Sequence, residues 1–117
     1  VADKVDLTIY QGDDYAAGIT VFEPDGTTAA DLTGFTAQSQ IRTSLNDIAP
    51  VAVADFATTI AGNVISITLS HDITKALSKP TYVWDLQVID TSGWITTLLM
   101  GSVLVTKEVT KVYTAAV

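Results

Sequence analysis

The single histidine of this 117-residue chain, His71, stands between Ser70 and Asp72. Hydroxyl, imidazole and carboxylate are the ingredients of nucleophilic catalysis, but that chemistry needs a nucleophile and an orienting acid brought together around the base. The sequence marks neither. Ser70 and Ser78 lack the pattern of a strained nucleophile elbow, and the segment reads as a helical turn from His71 to Leu77 with Ser70 as its N-cap. Asp13, Asp14, Asp25 and Asp31 are the next candidates, because clustered carboxylates can gather calcium through oxygen ligands. None of these runs has the alternating Asp/Asn spacing that wraps one ion, and turn formation already accounts for Asp25 and Asp31. Trp94 and Tyr10 could stack on a sugar ring, yet no ring of Asp, Asn and Arg accompanies them to read hydroxyls. No catalytic, cofactor-binding or metal-binding residue is assigned, and the expected protein is not an enzyme.

The elements that position side chains are more informative, above all Thr81 to Val105, TYVWDLQVIDTSGWITTLLMGSVLV. Two apolar, β-branched and aromatic runs flank Asp90-Thr91-Ser92-Gly93, a four-residue hairpin turn. Zipping outward pairs Val88 with Ile95, Leu86 with Thr97, Trp84 with Leu99 and Tyr82 with Gly101. Side chains alternate along a strand, so these pairs share one face, taken as the core face. The other face then carries Val83, Ile89, Trp94, Leu98 and Met100, interrupted only by Asp85, Gln87 and Thr96. A solvated face should be polar. Those five apolar residues are the candidate interface, covered either by a partner protein or by a loop of the same chain such as Thr43 to Pro50.

Composition limits the choices. With 48% hydrophobic and 16% charged residues the chain folds, and its length suits a single domain, 1–117. Cysteine is absent, so neither a disulfide framework nor a thiolate metal site exists. A net charge of −7 with no dense basic patch argues against nucleic-acid binding. No apolar run approaches a membrane span, and the start VADKVDLTIY has no signal-peptide layout. The expectation is a cytosolic product whose initiator methionine has been removed.

In chain order, Val5-Leu7-Ile9 alternate with polar neighbours as a first strand, and Gln11 to Asp14 turns the chain. Tyr15 to Phe22 is a second strand with Ile19 and Val21 inward and a bulge or close approach at Gly18. Glu23-Pro24-Asp25-Gly26 suits a type I turn, Thr27 to Ala30 an edge segment, and Asp31-Leu32-Thr33-Gly34 a turn closed by the Asp31 side chain. Phe35, Ala37, Ser39 and Ile41 form the inward face of a third strand. Val51 to Ile60 is a broken strand anchored by Val53 and Phe56. Ala61-Gly62-Asn63 is a three-residue hairpin loop into Val64 to Leu69. After the central hairpin the tail continues extended through Val109, Val112 and Tyr113. Seven or eight strands with frequent turns and one short helical turn predict an all-β, antiparallel Greek-key β-sandwich, with a small closed barrel as the alternative.

The order DLTIYQGDDY, PDG, DLTGFTAQSQIR, LSHDITKAL and YVWDLQVIDTSGWITTLLMGSVLVTKEVT resembles small tailed-bacteriophage virion proteins. It is similar in layout to the N-terminal domain of phage upper baseplate proteins and to short immunoglobulin-like phage structural proteins. The likeness runs from Leu7 to Thr110 and consists mostly of turn and core residues. It implies an immunoglobulin-like sandwich with an assembly role, its partners being other virion proteins (major capsid or tail proteins) and further copies placed by symmetry, with neither nucleic acid nor membrane. Upper baseplate proteins continue into a longer stalk. The stop here favours a free-standing accessory (cement or decoration) protein located in the virion. The alternative is a tail or baseplate host-recognition module binding cell-surface glycan.

Overall fold

A computed structural model describes residues 3–46 and 53–107. The elements are β1 (Asp3–Lys4), β2 (Leu7–Tyr10), β3 (Tyr15–Thr20), β4 (Thr36–Arg42), β5 (Ala54–Asp55), β6 (Ala57–Ala61), β7 (Val64–Leu69), α1 (His71–Lys75), β8 (Thr81–Ile89) and β9 (Ile95–Thr106). They form two sheets. The larger runs β1-β9-β8-β4-β5, with β2 also pairing β9, and the smaller runs β3-β7-β6. The fold is all-β and two-layered. Among the described residues nine strands stand where seven or eight were expected: Asp3–Lys4 adds a short strand ahead of the expected first one, and the strand expected as broken before Ile60 divides at Phe56 into two.

Both breaks have local causes. β1 and β2 are separated at Val5-Asp6, where the chain crosses close over Gly101, and both pair in parallel with β9; Val5, expected as the start of the first strand, falls in the gap. The second break is at Phe56, between β5 in the larger sheet and β6 in the smaller. Phe56 is buried, donates its amide to the Ser39 carbonyl at 2.9 Å, and packs edge-on to Trp84 at a centroid distance of 6.1 Å. It is the corner by which the chain changes sheet. Val53, expected as the second anchor, is exposed instead.

The core lies between the sheets. Ile9, Ile41, Trp84, Leu86 and Val103 meet Ile65, Ile67, Leu69 and Phe56, with Tyr15, Ala17 and Ile19 at its margin. Ser39, buried on the core face, donates its hydroxyl to the Asp85 carbonyl, so its polar atom is satisfied. Gly18 sits in regular pairing with Ser66, and an added Cβ would meet Val64 at ordinary contact distance, so the expected bulge is absent there. The hairpin between β6 and β7 has two loop residues, Gly62 and Asn63, and Gly62 takes φ +61°, a conformation that disfavours a side chain.

The helical turn is capped from a distance. Ser70 occupies the N-cap position without a side-chain cap. The His71 amide donates instead to the Asp14 carboxylate at 2.7 Å, across 57 residues of sequence. Buried Thr74 accepts from the Gly12 amide at 3.0 Å and donates to the Asp13 carbonyl at 2.8 Å. Gln11 adds side-chain bonds to the Lys75 and Leu77 carbonyls. The β2–β3 turn and α1 are therefore one hydrogen-bonded unit. The expected extended tail through Val109, Val112 and Tyr113, the loop residues 47–50 and the start of the expected strand at 51–52 lie outside the described residues.

Candidate functional site

The outward face of the larger sheet is built by β4, β8 and β9. Observed pairing sets Ile89 against Ile95, Gln87 against Thr97, Leu86 against Leu99, Asp85 against Met100 and Trp84 against Gly101, with a register shift between Leu86 and Gln87. The expected register fails in two places, each by one residue in the same direction, so the pairing ends two residues off while the inward–outward alternation is restored. The loop has five residues, Asp90 to Trp94, closed by the Asp90 amide on the Trp94 carbonyl at 3.0 Å. The Asp90 carboxylate accepts from the Ser92 and Trp94 amides and the Ser92 hydroxyl, and these bonds favour its ionised form and hold its pKa below the usual carboxylate range. The lengthened loop turns Ile95 outward, opposite Ile89. Leu98 is then the extra residue of a β-bulge, which restores the phase so that Leu99 and Val103 face the core.

This corrects the candidate interface. Leu98 is not outward; it packs against the core cluster. Val83 and Ile89 are outward and half-buried, Met100 is outward and 39% exposed, and Trp94 lies in the loop, 72% exposed. Sequence reasoning missed Ile95 and Leu104, at 54% and 51% exposure. Ile95 was missed because the loop takes in Trp94 as a fifth residue, and a bulge in a run as uniformly apolar as Leu98-Leu99-Met100 leaves no mark that would betray the change of phase.

The face is also not one apolar surface. Gln38 bonds Gln87 side chain to side chain at 2.6 Å, and Gln87 reaches the Thr97 hydroxyl at 3.4 Å, forming a polar belt across three strands. On the loop side lie Ile89, Ile95 and Trp94. On the other side a groove of about 300 Å³ is lined by Gln40, Arg42, Leu45, Val83, Asp85 and Met100. A second recess of about 290 Å³ beside it adds Lys4 and Ser102. Leu45 lines both, so the loop after β4 overhangs Val83 and Met100 in part, while Leu45 itself remains 77% exposed. Burial raises the Asp85 carboxyl above the ordinary value, and Arg42 partly offsets it.

The chemical candidates take other roles. His71 pairs through Nδ1 with Asp14 at 2.9 Å, and its Nε2 faces Asp72 at 3.7 Å, not a hydroxyl. The hydrogen bond and charge of Asp14 raise the imidazole above its ordinary value, and the same pairing lowers Asp14. Asp25 closes its turn by accepting from the Thr28 hydroxyl and the Thr28 and Thr27 amides, which hold its carboxyl at about 2. Asp31 likewise accepts from the Thr33 amide. No group of three or more potential metal ligands occurs among the described residues. Tyr10 pairs with Thr106 at one end of β9 and Trp94 precedes its other end. At ~3.3 Å per residue they stand roughly 35 Å apart and form no common stacking platform.

Comparison with protein families finds no matching family, and no curated protein matches the chain. Among solved structures it is similar to a GspB Siglec domain, at 12% identity and a TM-score of 0.49, over 88% of this chain and 54% of that one. The chain thus spans about half the length of that structure.

Proposed function

We propose that the chain is a non-enzymatic interaction module that docks on a partner protein through the outward face of its larger sheet. The observation that carries this reading is the pair of apolar patches on that face. Trp94, Ile95 and Met100 are 72%, 54% and 39% exposed on a sheet whose other side already faces the core. A solvated β-face favours polar residues, and exposed apolar groups clustered on one face mark contact sites. Full burial of each such side chain contributes about 1.5–3 kcal/mol, so three of them suffice to anchor a subunit. The polar belt of Gln38, Gln87 and Thr97 supplies hydrogen-bonding groups between the patches.

The resemblance in sequence layout extends the proposal to a structural subunit of a bacteriophage virion, an accessory protein on capsid or tail. The finer fold reading belongs with it. An N-terminal strand parallel to the last strand, the sheet order β9-β8-β4-β5 opposite β3-β7-β6, and the Tyr82 hydroxyl accepting from the Lys79 amide at 3.0 Å support an immunoglobulin-like Greek-key sandwich. Quantitative mass spectrometry of purified particles tests the function. The chain should be present at a symmetric copy number, and the double variant Trp94→Asp, Met100→Asp should be incorporated at least several-fold less while remaining folded. Absence from particles, or full incorporation of the folded double variant, overturns the proposal.

A further inference from the structure

We infer that the free edge of β3 pairs with the same edge of a second copy of this chain, joining two three-stranded sheets into one of six strands. The Val21 amide donates to the Asn63 carbonyl at 2.8 Å, one step beyond the β3–β7 ladder. Backbone groups alternate in direction along a strand, so Tyr15, Ala17 and Ile19 direct theirs toward β7. Those of Ala16, Gly18 and Thr20 point to the free edge, where nothing among the described residues meets them.

That edge has none of the usual protection against strand addition. Tyr15–Thr20 contains no charge and no proline, and its register with β7 is unbroken over all six pairs. The other edges differ. In the larger sheet one edge carries Asp3, Lys4 and Asp6 and is broken at Val5-Asp6, and the other is the two-residue β5. The β6 edge is drawn against the opposite sheet at the Phe56 corner, where the Thr58 hydroxyl donates to the Ala37 carbonyl at 2.9 Å. No hydrogen bond joins β2 to β3 among the described residues. Among the described residues the corner of the sandwich beside β3 is the open one.

Core packing points to the same edge. Tyr15, Ala17 and Ile19 face the core but remain half-exposed, while Ile65, Ile67 and Leu69 across from them on β7 are 0%, 0% and 3% exposed. A strand added beside β3 would complete their cover. The second copy's β3 suits this place because an uncharged edge meets itself without like-charge repulsion. A two-fold axis at Ala17 sets Ala16 against the second copy's Gly18 and Tyr15 against its Ile19. Centring on Gly18 instead would put Asp13 opposite Glu23, which disfavours that register. One strand pair falls short of the ~1,200–2,000 Å² of a stable interface, so the isolated chain should dimerise weakly. Its net charge of −7 opposes the approach, so added salt should strengthen it.

The inference does not rest on the docking face, since β3 belongs to the other sheet. Sedimentation velocity of the full chain over a concentration series tests it, beside three variants. Ala16→Pro removes a donor aimed at the free edge and leaves the ladder to β7 intact. Thr20→Glu places a carboxylate on that edge, opposite the second copy's Asp14 in this register, and Met100→Asp adds the same charge to the outward face of the larger sheet only. The wild type and Met100→Asp should pass from monomer to dimer as concentration rises, more readily at high salt. Ala16→Pro and, at low salt, Thr20→Glu should stay monomeric, and Thr20→Glu, with its melting temperature unchanged, decides if Ala16→Pro proves unstable. A wild type that remains monomeric throughout, or a low-salt dimer that survives undiminished in folded Thr20→Glu, overturns the inference.

Discussion

The indole Nε1 of Trp84 donates to the Val5 carbonyl at 2.8 Å, tying the break in the first strand to the middle of the hairpin. The cross-strand partner of Trp84 is Gly101, and a Cβ added there would overlap the Val5 carbonyl oxygen. Glycine at 101 is therefore a matter of space. The Val5 amide donates to the Met100 carbonyl and Asp6 accepts from the Ser102 amide, so the crossing is held on both sides of that glycine. Gly101→Ala should destabilise the fold by about 2 kcal/mol through overpacking. Trp84→Phe, which keeps a ring but loses the donor, should cost about 1 kcal/mol. Urea unfolding measures both, and hydrogen exchange should show the Gly101→Ala loss first at the amides of Val5 and Ser102. An unchanged urea midpoint for Gly101→Ala would contradict this packing.

Thr74 offers a second test, because its hydroxyl joins α1 to the turn after β2 from a fully buried position. Valine matches its shape and leaves the Gly12 amide and Asp13 carbonyl without their partner. Thr74→Val should lower stability by about 1–3 kcal/mol, and Thr74→Ser should recover most of the loss. Equal stability of the two variants would show that the hydroxyl network contributes nothing.

The His71–Asp14 pair sets a pH window. His71 titrates above its ordinary 6.5 because it bonds Asp14, so its contribution is full below 6.5 and is lost as pH rises through the folded value. Asp14 titrates below its ordinary 3.8 because it bonds His71, so its contribution is present above 3.8 and is lost as pH falls through the folded value. The pair contributes most between those two ordinary values. His71 is the only histidine, so its ring resonances report the titration directly. In Asp14→Asn the midpoint should fall toward 6.5, and an unmoved midpoint would refute the pairing.

Much of the architecture was legible because it follows from alternation. Tyr82, Trp84, Leu86 and Val88 were placed inward and are all buried, and Phe35, Ala37, Ser39 and Ile41 lie on the inner side of β4 as expected. Turns written in Asp and Gly, at Asp25-Gly26 and Asp31, were legible for the same local reason. What escaped was register. One added loop residue at Trp94 and one added strand residue at Leu98 leave the inward face of β8 as expected but turn Ile95 and Thr97 outward and Leu98 toward the core. The cap on α1 escaped too: Ser70 satisfies the local rule, but Asp14 arrives only through tertiary structure.

Asp85 carries the last prediction, and it joins the fold to the proposed docking face. Its carboxylate sits half-buried in the groove beside Met100 and is raised chiefly by that burial, with Arg42 acting the other way. A raised acid is disfavoured in its charged form by folding, so stability rises as pH falls through the folded value toward the ordinary 3.8. Asp85→Asn removes the charge with little change of shape. After allowance for solvent screening it should raise stability at neutral pH by only a few tenths of a kcal/mol. Its effect on docking should be larger, because a partner that covers Met100 also strips water from this carboxylate. Asn at 85 should therefore strengthen incorporation into particles relative to the wild type, unless the partner brings a cation to the groove. In that case Asp85→Asn weakens docking and Arg42→Gln spares it. Incorporation indifferent to Asp85→Asn would place the contact elsewhere on the molecule.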